Sequence, residues 1–300
     1  MEPAADYAWS DSVTTAHPRL SINQATIKYA NLADALQLTA TAGVQSIGLW
    51  REPVAEVGLQ NATRMVADSG LRVSSLCRGG FFTAFEGPAR RAAIDENRRA
   101  IDESAALAAA GAAGSAPVLV LVAGGLPDRS TDLIGARSRV AEAIAELVPD
   151  AQAAGVTLAI EPLHPMYAAD RAVISTLGQA LDIAEPFPAS SVGVVVDTFH
   201  IWWDPEVLTQ IERAGAAGRI ASYQVCDFLT PIPSDALLAR GMMGDGHVDF
   251  RSLTRAITAT GYAGDVEVEI FNAEIWDTEP AEVVARTVDA FAACIPLALP

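Results

Sequence analysis

The amino-acid sequence predicts an α/β protein folded as a single (β/α)8 barrel. Short β-rich runs alternate with alanine-rich stretches of helical length along the chain. Several of these runs, such as VLVLV and VGVVV, are continuously apolar, as is typical of parallel strands covered by helices. Eight β–α units in about 280 residues match one such barrel. A doubly wound sheet is the alternative, but it usually has a glycine fingerprint after its first strand, where this chain has QATIKYA.

Eight stretches are predicted to be barrel strands, and each is followed by a segment with helical periodicity that usually ends near glycine or proline. The predicted strands are Leu20–Ile27, Ser46–Trp50, Val73–Cys77, Val118–Val122, Thr157–Ile160, Val192–Val196, Ile220–Val225 and Asp265–Ile270. The predicted helices are Asn31–Ala42, Asn61–Ser69, Pro88–Gly111, Thr131–Ala154, Ser175–Ile183, Pro205–Ala214, Phe250–Thr260 and Pro280–Ala293. Residues 1–18 are polar and mixed, which predicts a loose N-terminal arm before a barrel domain over residues 19–300.

The composition argues against several classes of protein. The chain has 37 acidic and 20 basic side chains, a formal net charge of −17, and 51% hydrophobic residues. This apolar content supplies a core and excludes global disorder. The acidic balance argues against a nucleic acid or an anionic membrane as partner, because both are bound through clustered lysine and arginine. No apolar run reaches the roughly 18 residues that a transmembrane helix needs.

The scarcity of lysine and cysteine narrows the chemistry further. Lys28 is the only lysine, so the chain has no Walker A motif, and a Schiff-base enzyme would have to use that residue. Cys77, Cys226 and Cys294 are widely spaced and form no CxxC motif, which predicts reduced thiols rather than a disulfide framework or a cysteine–zinc site. The first residues show no basic patch followed by an apolar run, the pattern of a secretory signal peptide, so we expect a cytoplasmic protein.

Polar side chains follow the predicted strands five to eight, at the end of the barrel where such folds place their sites. Glu161, Asp197 and Glu269 would repel one another in a dry pocket, and a divalent cation resolves that conflict. With an amide oxygen from Gln224 they form an oxygen-rich set that suits one Mg²⁺ or Mn²⁺ ion. The alternative is that each acid is a solvated strand-end residue or a helix N-cap. Glu267 shares a face with Glu269, and we expect it to form an ion pair deeper in the barrel.

Other residues near these strand ends are candidates for substrate contact. His164 and His200 each come three residues after an acidic strand-end residue, so both can reach the rim of the pocket. Arg240 opens a glycine-rich loop, RGMMGDG, and can point at substrate oxygens. Trp202 comes just after His200, and Phe81 follows the third strand; such rings can stack on a sugar. Plain packing under the loops is the alternative for both rings.

At these residues the chain resembles the sugar phosphate isomerase/epimerase superfamily of xylose-isomerase-like TIM barrels, which includes ketose 3-epimerases, inosose dehydratases and inosose isomerases. The resemblance runs from Ser21 to about Asn272 and rests on EPLHP, DTFH and RGMMGDG. It implies that His200 and Arg240 contact the substrate. Endonuclease IV, another member, is a poor model, because it needs a multi-metal cluster with many more histidines than the four in this chain.

The resemblance also implies a metal site. In the family, one divalent ion is held by Glu, Asp, His and Glu at the ends of strands five to eight, which correspond here to Glu161, Asp197, Gln224 and Glu269. Gln224 departs from that pattern, and an amide binds a metal more weakly than an imidazole does. The segment 227–240 holds extra residues beside the pocket, which can reshape the choice of substrate.

The activity implied by the resemblance is that of a metal-dependent isomerase or epimerase acting on a ketose, a cyclitol ketone or a related polyhydroxy carbonyl compound. One of Glu161 and Glu269 would remove a proton α to the carbonyl to give an enediolate, and the other would return a proton. His164 would support them or shuttle protons. A lyase (an inosose-type dehydratase or an enzyme that cleaves 3-keto glycosides) and a catalytically inactive sugar-binding barrel are the alternatives. A homo-oligomer is expected from such relatives, and the lack of a glycine-rich phosphate cradle favours an unphosphorylated sugar or cyclitol.

Overall fold

Residues 16–297 are described by the computed structural model, and they form a closed barrel of eight parallel strands, which confirms the predicted fold. Strands that are consecutive in sequence pair with each other, and the last closes the barrel against the first. The strands are β1 (Leu20–Asn23), β2 (Ser46–Trp50), β3 (Arg72–Gly80), β4 (Val118–Val122), β5 (Thr157–Glu161), β6 (Val192–Asp197), β7 (Ile220–Val225) and β8 (Val266–Val268). The predicted N-terminal arm, 1–18, lies outside the described residues except for its last three.

Helices connect successive strands and cover the barrel, and each of the eight predicted helices has a counterpart. The helices are α1 (Leu32–Thr41), α2 (Arg51–Val57), α3 (Leu59–Ser69), α4 (Pro88–Ala110), α5 (Leu133–Ala154), α6 (Leu177–Ala184), α7 (Thr198–Ile201), α8 (Val207–Ala216), α9 (Phe250–Ala259), α10 (Ala273–Trp276) and α11 (Pro280–Cys294). The sequence does not predict α2, α7 and α10, because each is too short to show a helical period. No helix in the described part of the chain is long and apolar enough to cross a membrane.

Two strands are shorter than predicted because side chains interrupt their backbone pairing. The Asn23 side chain accepts a hydrogen bond from the backbone N–H two residues on, at 2.9 Å, and this starts a 3-10 turn over Gln24–Ile27. The Thr26 hydroxyl accepts from the N–H of Ile270 (3.0 Å) and donates to the carbonyl of Val268 (2.9 Å). The hydroxyl therefore replaces the next backbone bonds, and β8 ends where the site begins.

The buried residues lie on both sides of the barrel wall. The apolar runs of β4 and β6 are buried throughout, as expected for strands that contact helices outside and other side chains inside. Inside the barrel, small and β-branched side chains pack together. They are Cys77, Val118, Val120, Ala159 and Val195. This packed floor leaves polar residues to the upper, carboxyl ends of the strands.

A small antiparallel ribbon after β7 pairs Asp227–Phe228 with Arg240–Gly241. The Asp227 carboxylate accepts hydrogen bonds from three backbone N–H groups of residues 244–248, at 2.8 to 3.0 Å. These bonds hold the glycine-rich loop against the barrel. As a consequence Arg240, at the base of that loop, is almost completely buried over the strand ends.

Candidate active site

A cavity of about 290 Å³ opens at the carboxyl ends of the barrel strands, where the sequence predicts the site. The residues that line it come from most of the strand ends and from the loop after β7. They are Trp50, Cys77, Arg78, Phe81, Val120, Val122, Glu161, Leu163, Asp170, Arg171, His200, Leu237, Arg240, Glu269 and Phe271. The structure thus brings five of the predicted site residues to one cavity: Phe81, Glu161, His200, Arg240 and Glu269.

Two groups of potential metal-ligating side chains lie at this end of the barrel. Glu161, Asp197 and His200 bring their ligand atoms within 4.8 Å of one another, and all three are buried. Cys77, Glu267 and Glu269 form a second buried group. The two groups hold most of the acidic residues predicted at the strand ends.

Arg240 is the cation that contacts these acids. Its Nη1 donates hydrogen bonds to Asp197 Oδ2 (2.9 Å) and Glu269 Oε2 (3.0 Å), and its Nη2 lies 2.9 Å from His200 Nε2. The guanidinium also lies 4.7 Å from the centre of the Phe199 ring. Burial opposes its charge, but Asp197 and Glu269 hold the pKa of Arg240 above its ordinary value. It therefore stays a cation beside the cavity.

His200 is a neutral imidazole whose two ring nitrogens both face hydrogen-bond donors. Nδ1 lies 3.1 Å from the backbone N–H of His164, and Nε2 lies 2.9 Å from the Nη2 of Arg240, which can only donate. Nε2 lies 4.0 Å from Glu161 Oε1 and 3.9 Å from Asp197 Oδ2. Burial lowers the pKa of His200 well below its ordinary value, and the charge of Arg240 lowers it further. The imidazole is consequently uncharged at pH 7, and Nε2 can accept a hydrogen bond from Arg240.

Gln224 contacts Glu267, a carboxylate held by neutral donors. The oxygens of Glu267 accept from Asn23 Nδ2 (2.6 Å), Ser74 Oγ (2.5 Å), Ser75 Oγ (2.9 Å) and Gln224 Nε2 (3.0 Å). These hydroxyl and amide donors take the place of the ion pair predicted for Glu267. An ionised carboxylate only accepts hydrogen bonds, so Gln224 turns its NH₂ group toward Glu267 and its oxygen away. Gln224 Oε1 has no hydrogen-bond partner among residues 16–297.

The two glutamates that line the cavity bind protons more tightly than usual. Burial raises the pKa of Glu161 well above its ordinary value, and the neighbouring charges of Glu269 and Asp197 add to that effect. Burial raises the pKa of Glu269 to about 8, where Arg240 opposes the shift and Asp197 and Glu267 add to it. A carboxyl that titrates near neutral pH is suited to proton transfer.

The four predicted metal ligands fit a hard divalent cation. Glu161 Oε1 and Gln224 Oε1 are buried, and within the described part of the chain neither has a hydrogen-bond partner. The other two, Asp197 and Glu269, each direct an oxygen to the same nitrogen, Nη1 of Arg240. A buried oxygen without a partner costs free energy, and a cation held by these oxygens would remove that cost.

Two predicted substrate contacts lie outside the cavity lining. The Trp202 ring packs against Phe228 (5.2 Å between ring centroids) and His247 (6.3 Å). Successive residues of a helix turn by about 100°, so Trp202, two positions after His200 at the end of α7, points to the opposite side. The His164 ring stacks on Phe228 at 5.8 Å, and only its backbone N–H reaches His200.

The aromatic wall of the cavity comes instead from other strand ends. Trp50 ends β2, Phe271 follows β8, and their rings meet edge to face at 5.5 Å. The Arg78 guanidinium lies 5.3 Å from the Trp50 ring centre and 5.2 Å from that of Phe81. Trp50, Arg78 and Phe271 are not among the site residues that the sequence predicts. Their position at or just after a strand is the signal that could have found them.

Phe81 is held at the cavity by a buried asparagine. The φ of Phe81 is 62°, and that of the preceding Gly80 is 112°. A Cβ on Gly80 would lie 1.8 Å from the carbonyl oxygen of Val122. The side chain of Asn97, on α4, accepts from the N–H of Gly80 (2.7 Å) and donates to its carbonyl (2.8 Å). Asn97 thus fixes the backbone that presents Phe81.

Residues 36–294 match the family model described as the xylose isomerase-like TIM barrel. The chain belongs to that family. The match covers most of the barrel, including all the candidate ligands, and it agrees with the closed eight-stranded sheet.

Similarity to individual members of the xylose isomerase-like family differs in extent. L-ribulose 3-epimerase from Mesorhizobium japonicum is 31% identical over 140 residues, which are 47% of this chain and 42% of that protein. Inosose isomerase from Halalkalibacterium halodurans is 25% identical over 149 residues, which are 49% of this chain and 50% of that protein. The chain therefore aligns with half or less of each curated relative.

Solved structures match over nearly the whole chain. A protein from Sinorhizobium meliloti 1021 is 48% identical, with a TM-score of 0.87 over 92% of this chain and 98% of that one. A structure of the IolI protein with a bound zinc atom is 20% identical, with a TM-score of 0.77 over 93% of this chain and 100% of that one. The second likeness is one of fold alone.

Proposed function

We propose that this protein is a divalent-metal-dependent isomerase or epimerase of a ketose, a cyclitol ketone or a related polyhydroxy carbonyl compound. The observation that carries the proposal is the pair Glu161 and Glu269. Both carboxyls are buried, both have a raised pKa, and both line one cavity, from strands three places apart around the barrel. Two such groups can remove a proton on one side of a substrate and return it on another.

The metal ion would be held by Glu161, Asp197, Gln224 and Glu269. Buried oxygens of Glu161 and Gln224 lack a hydrogen-bond partner among the described residues, and oxygens of Asp197 and Glu269 both accept from Arg240. When bound, the metal would supply Lewis-acid polarisation of the substrate carbonyl. The IolI structure, which has the same fold, contains a bound zinc atom, and this supports a metal in this protein. The ion expected here is Mn²⁺ or Mg²⁺, because all four ligands are oxygens.

In the reaction, one of Glu161 and Glu269 accepts the proton from the carbon next to the carbonyl, and the bonding electrons move to the carbonyl oxygen to give an enediolate. The other carboxyl then donates a proton. Delivery to the opposite face of the same carbon gives the epimer, and delivery to the former carbonyl carbon gives the isomer. Arg240 donates hydrogen bonds to the oxygens that gain charge, and neutral His200 contacts its guanidinium in the same cavity.

The relatives support this substrate class. L-ribulose 3-epimerase is named for epimerisation of a ketose, and inosose isomerase for isomerisation of a cyclitol ketone. Because the alignments cover only part of each relative, the activity of this chain depends on its own site residues and has to be measured.

Solvent exchange tests the proposal directly. The protein with added Mn²⁺ is incubated in deuterated water with a panel of ketoses and inososes, and NMR follows deuterium incorporation next to the carbonyl. We expect exchange with at least one compound, and a loss of about 10² to 10⁴-fold in Glu161→Gln and in Glu269→Gln. The spectrum of the product separates an epimer, an isomer and the eliminated product of a lyase.

The exposed Glu282 provides a matched control, since Glu282→Gln makes the same chemical change on the surface of α11. It should leave exchange unchanged. Exchange that persists in both cavity variants, or no exchange with any compound under these conditions, would overturn the proposal.

A sugar-binding barrel without catalysis is the second candidate, and the contacts of Arg240 favour it. The guanidinium already supplies a cation to Asp197 and Glu269, and Gln224 replaces the histidine of the family pattern. Elemental analysis of the purified protein beside Asp197→Ala separates the two. About one divalent ion per chain, lost in the variant, supports the enzyme; no ion after incubation with Mn²⁺ supports the binding protein.

A further inference from the structure

A second cavity, of about 520 Å³, lies beside the candidate active site. The two cavities share four lining residues: Trp50, Arg78, Leu237 and Phe271. The second cavity extends from this shared wall across the carboxyl ends of β1, β2 and β8. The two cavities therefore adjoin at these four side chains.

Gln24, which lines the second cavity, is a buried amide with an unused donor. It is only 2% exposed, and its Oε1 accepts from the backbone N–H of Trp50 at 3.3 Å. That bond fixes the orientation of the amide, because a backbone N–H can only donate. Nε2 has no hydrogen-bond partner in the described range 16–297. A buried donor of this kind calls for an acceptor oxygen from a ligand.

Aromatic rings form one side of the second cavity. Trp50 contacts Phe271 edge to face, and Phe271 contacts Trp276 in the same way at 5.7 Å. The Lys28 ammonium lies 4.2 Å from the centre of the Trp276 ring, at the outer edge of the same cavity. Rings beside hydrogen-bonding groups suit a sugar, which has an apolar C–H face and a rim of hydroxyls.

The charges around the second cavity favour a neutral ligand. Lys28 and Arg78 are its cations, and they are outnumbered by Glu52, Glu56 and Asp235. A phosphate or carboxylate ligand would meet three carboxylates and only two cations. Hydroxyl groups both donate and accept, so a neutral polyol can satisfy such a mixed rim.

The extra residues between β7 and the glycine-rich loop help to form this cavity. Asp235 and Leu238 line it, and Leu237 belongs to the wall that it shares with the active site. The short 3-10 helix Ala236–Ala239 holds them in place. The segment 227–240, which the sequence predicts to influence the choice of substrate, thus forms part of the second cavity.

We propose that the second cavity binds a second, neutral sugar ring, so that the substrate is a glycoside or oligosaccharide whose carbonyl-bearing ring occupies the first cavity. This inference rests on the proposed function, because it assigns the first cavity to that ring. Gln24 and Lys28 are the residues through which the second ring is recognised, and neither belongs to the catalytic machinery.

Isothermal titration calorimetry of the full chain with Mn²⁺ tests the inference. The probes are D-fructose and two disaccharides that carry a fructose unit with different linkages, lactulose and isomaltulose. We expect at least one disaccharide to bind about tenfold more tightly than D-fructose, because the second ring adds its own binding free energy in the adjoining site. Gln24→Met and Lys28→Met should remove most of that gain and leave the affinity for D-fructose unchanged.

Gln152, exposed near the end of α5, provides the control variant Gln152→Met, which should retain the full gain. The second site is refuted if neither disaccharide binds more tightly than D-fructose, or if the cavity variants weaken all three probes alike. Proton exchange in deuterated water separates this outcome from failure of the proposed function. Exchange without a disaccharide gain removes only the second site, and a gain without exchange removes only the enzymatic proposal.

Discussion

Replacing Glu267 with glutamine tests whether a residue below the site controls the metal above it. Glu267 accepts hydrogen bonds from two hydroxyls and from the amides of Asn23 and Gln224, at 2.5 to 3.0 Å. In Glu267→Gln one of the two oxygens becomes an NH₂ group. If that NH₂ group faces Asn23 and Gln224, it meets the NH₂ groups of both side chains, and no hydrogen bond can form. Gln224 can relieve this conflict by rotating its own amide so that its oxygen faces residue 267. Its Oε1 then points down, away from the predicted ligands.

The expected size of the effect follows from these contacts. Changing a residue that orients a metal ligand costs about 10- to 100-fold in metal affinity. Lost hydrogen bonds to a buried carboxylate cost about 1.5–3 kcal/mol each, partly offset because the variant buries no charge. We therefore expect Mn²⁺ affinity to fall by about 10- to 100-fold and the free energy of unfolding by about 2 kcal/mol. Calorimetric titration with Mn²⁺ measures the first, and urea denaturation of the metal-free protein measures the second.

Two further variants define what would refute this reasoning. Gln224→His restores the imidazole of the family pattern and should raise Mn²⁺ affinity above that of the unmodified protein. Glu274→Gln, on the exposed start of α10, should change neither quantity. The orienting role of Glu267 is wrong if Glu267→Gln remains folded and binds Mn²⁺ as tightly as the control, whatever its stability.

The remaining predictions concern stability. The pKa of Glu269 is raised from 4.5 to about 8 in the metal-free fold, so its proton stabilises the folded state fully below pH 4.5, and that stabilisation is lost as the pH rises to 8. The thermal midpoint of EDTA-treated protein should therefore fall by several degrees between pH 5 and pH 8 in calorimetric scans. The midpoint of Glu269→Gln should fall by less over the same range. Equal falls in the two proteins would mean that other groups cause the pH dependence. Asn97→Ala leaves the N–H and carbonyl of Gly80 without their partner and should cost about 2–3 kcal/mol in urea denaturation and raise KM. The exposed Asn61→Ala is its control, and an unchanged KM would mean that Asn97 does not position Phe81 for the substrate.

The barrel and the acidic strand ends could be predicted because both follow from local pattern. A continuous apolar run identifies a parallel strand that is covered by helices. The last residue of each such run lies at the carboxyl end of the barrel. Glu161 and Asp197 are the last residues of β5 and β6, so their convergence needed only the topology. Glu269 follows one residue after β8 for the same reason.

Side-chain direction beyond the strands could not be predicted in the same way. Trp202 turns away from the cavity because α7, a single helical turn, begins directly after Asp197. Its four residues are too few to show a helical period in the sequence. Most of the hydrogen bonds of Glu267 come from Asn23, Ser74 and Ser75 on β1 and β3, nearly 200 residues or more away in sequence. Such contacts depend on the register of closed strands, which one sequence does not reveal.

Metal binding and proton binding must be linked at this site, and the linkage provides a last test. Arg240 is hydrogen-bonded to Asp197 and Glu269, its charge also acts on Glu161, and burial raises the pKa of Glu161 and Glu269. In the metal-free protein, the raised pKa values of these two carboxyls favour their protonated forms, which reduces the excess negative charge. Ligands must lose their protons to bind a cation, so metal uptake should release them.

We therefore expect the apparent Mn²⁺ affinity to rise with pH between about pH 6 and pH 8. Each proton released on metal binding should contribute a rise of about tenfold per pH unit. Titration calorimetry in buffers with different ionisation enthalpies counts those protons directly. One to two protons are expected for the unmodified protein and one fewer for Glu269→Gln. An enthalpy that is independent of the buffer would mean that the carboxyls are already ionised without the metal, and that Arg240 alone balances their charge.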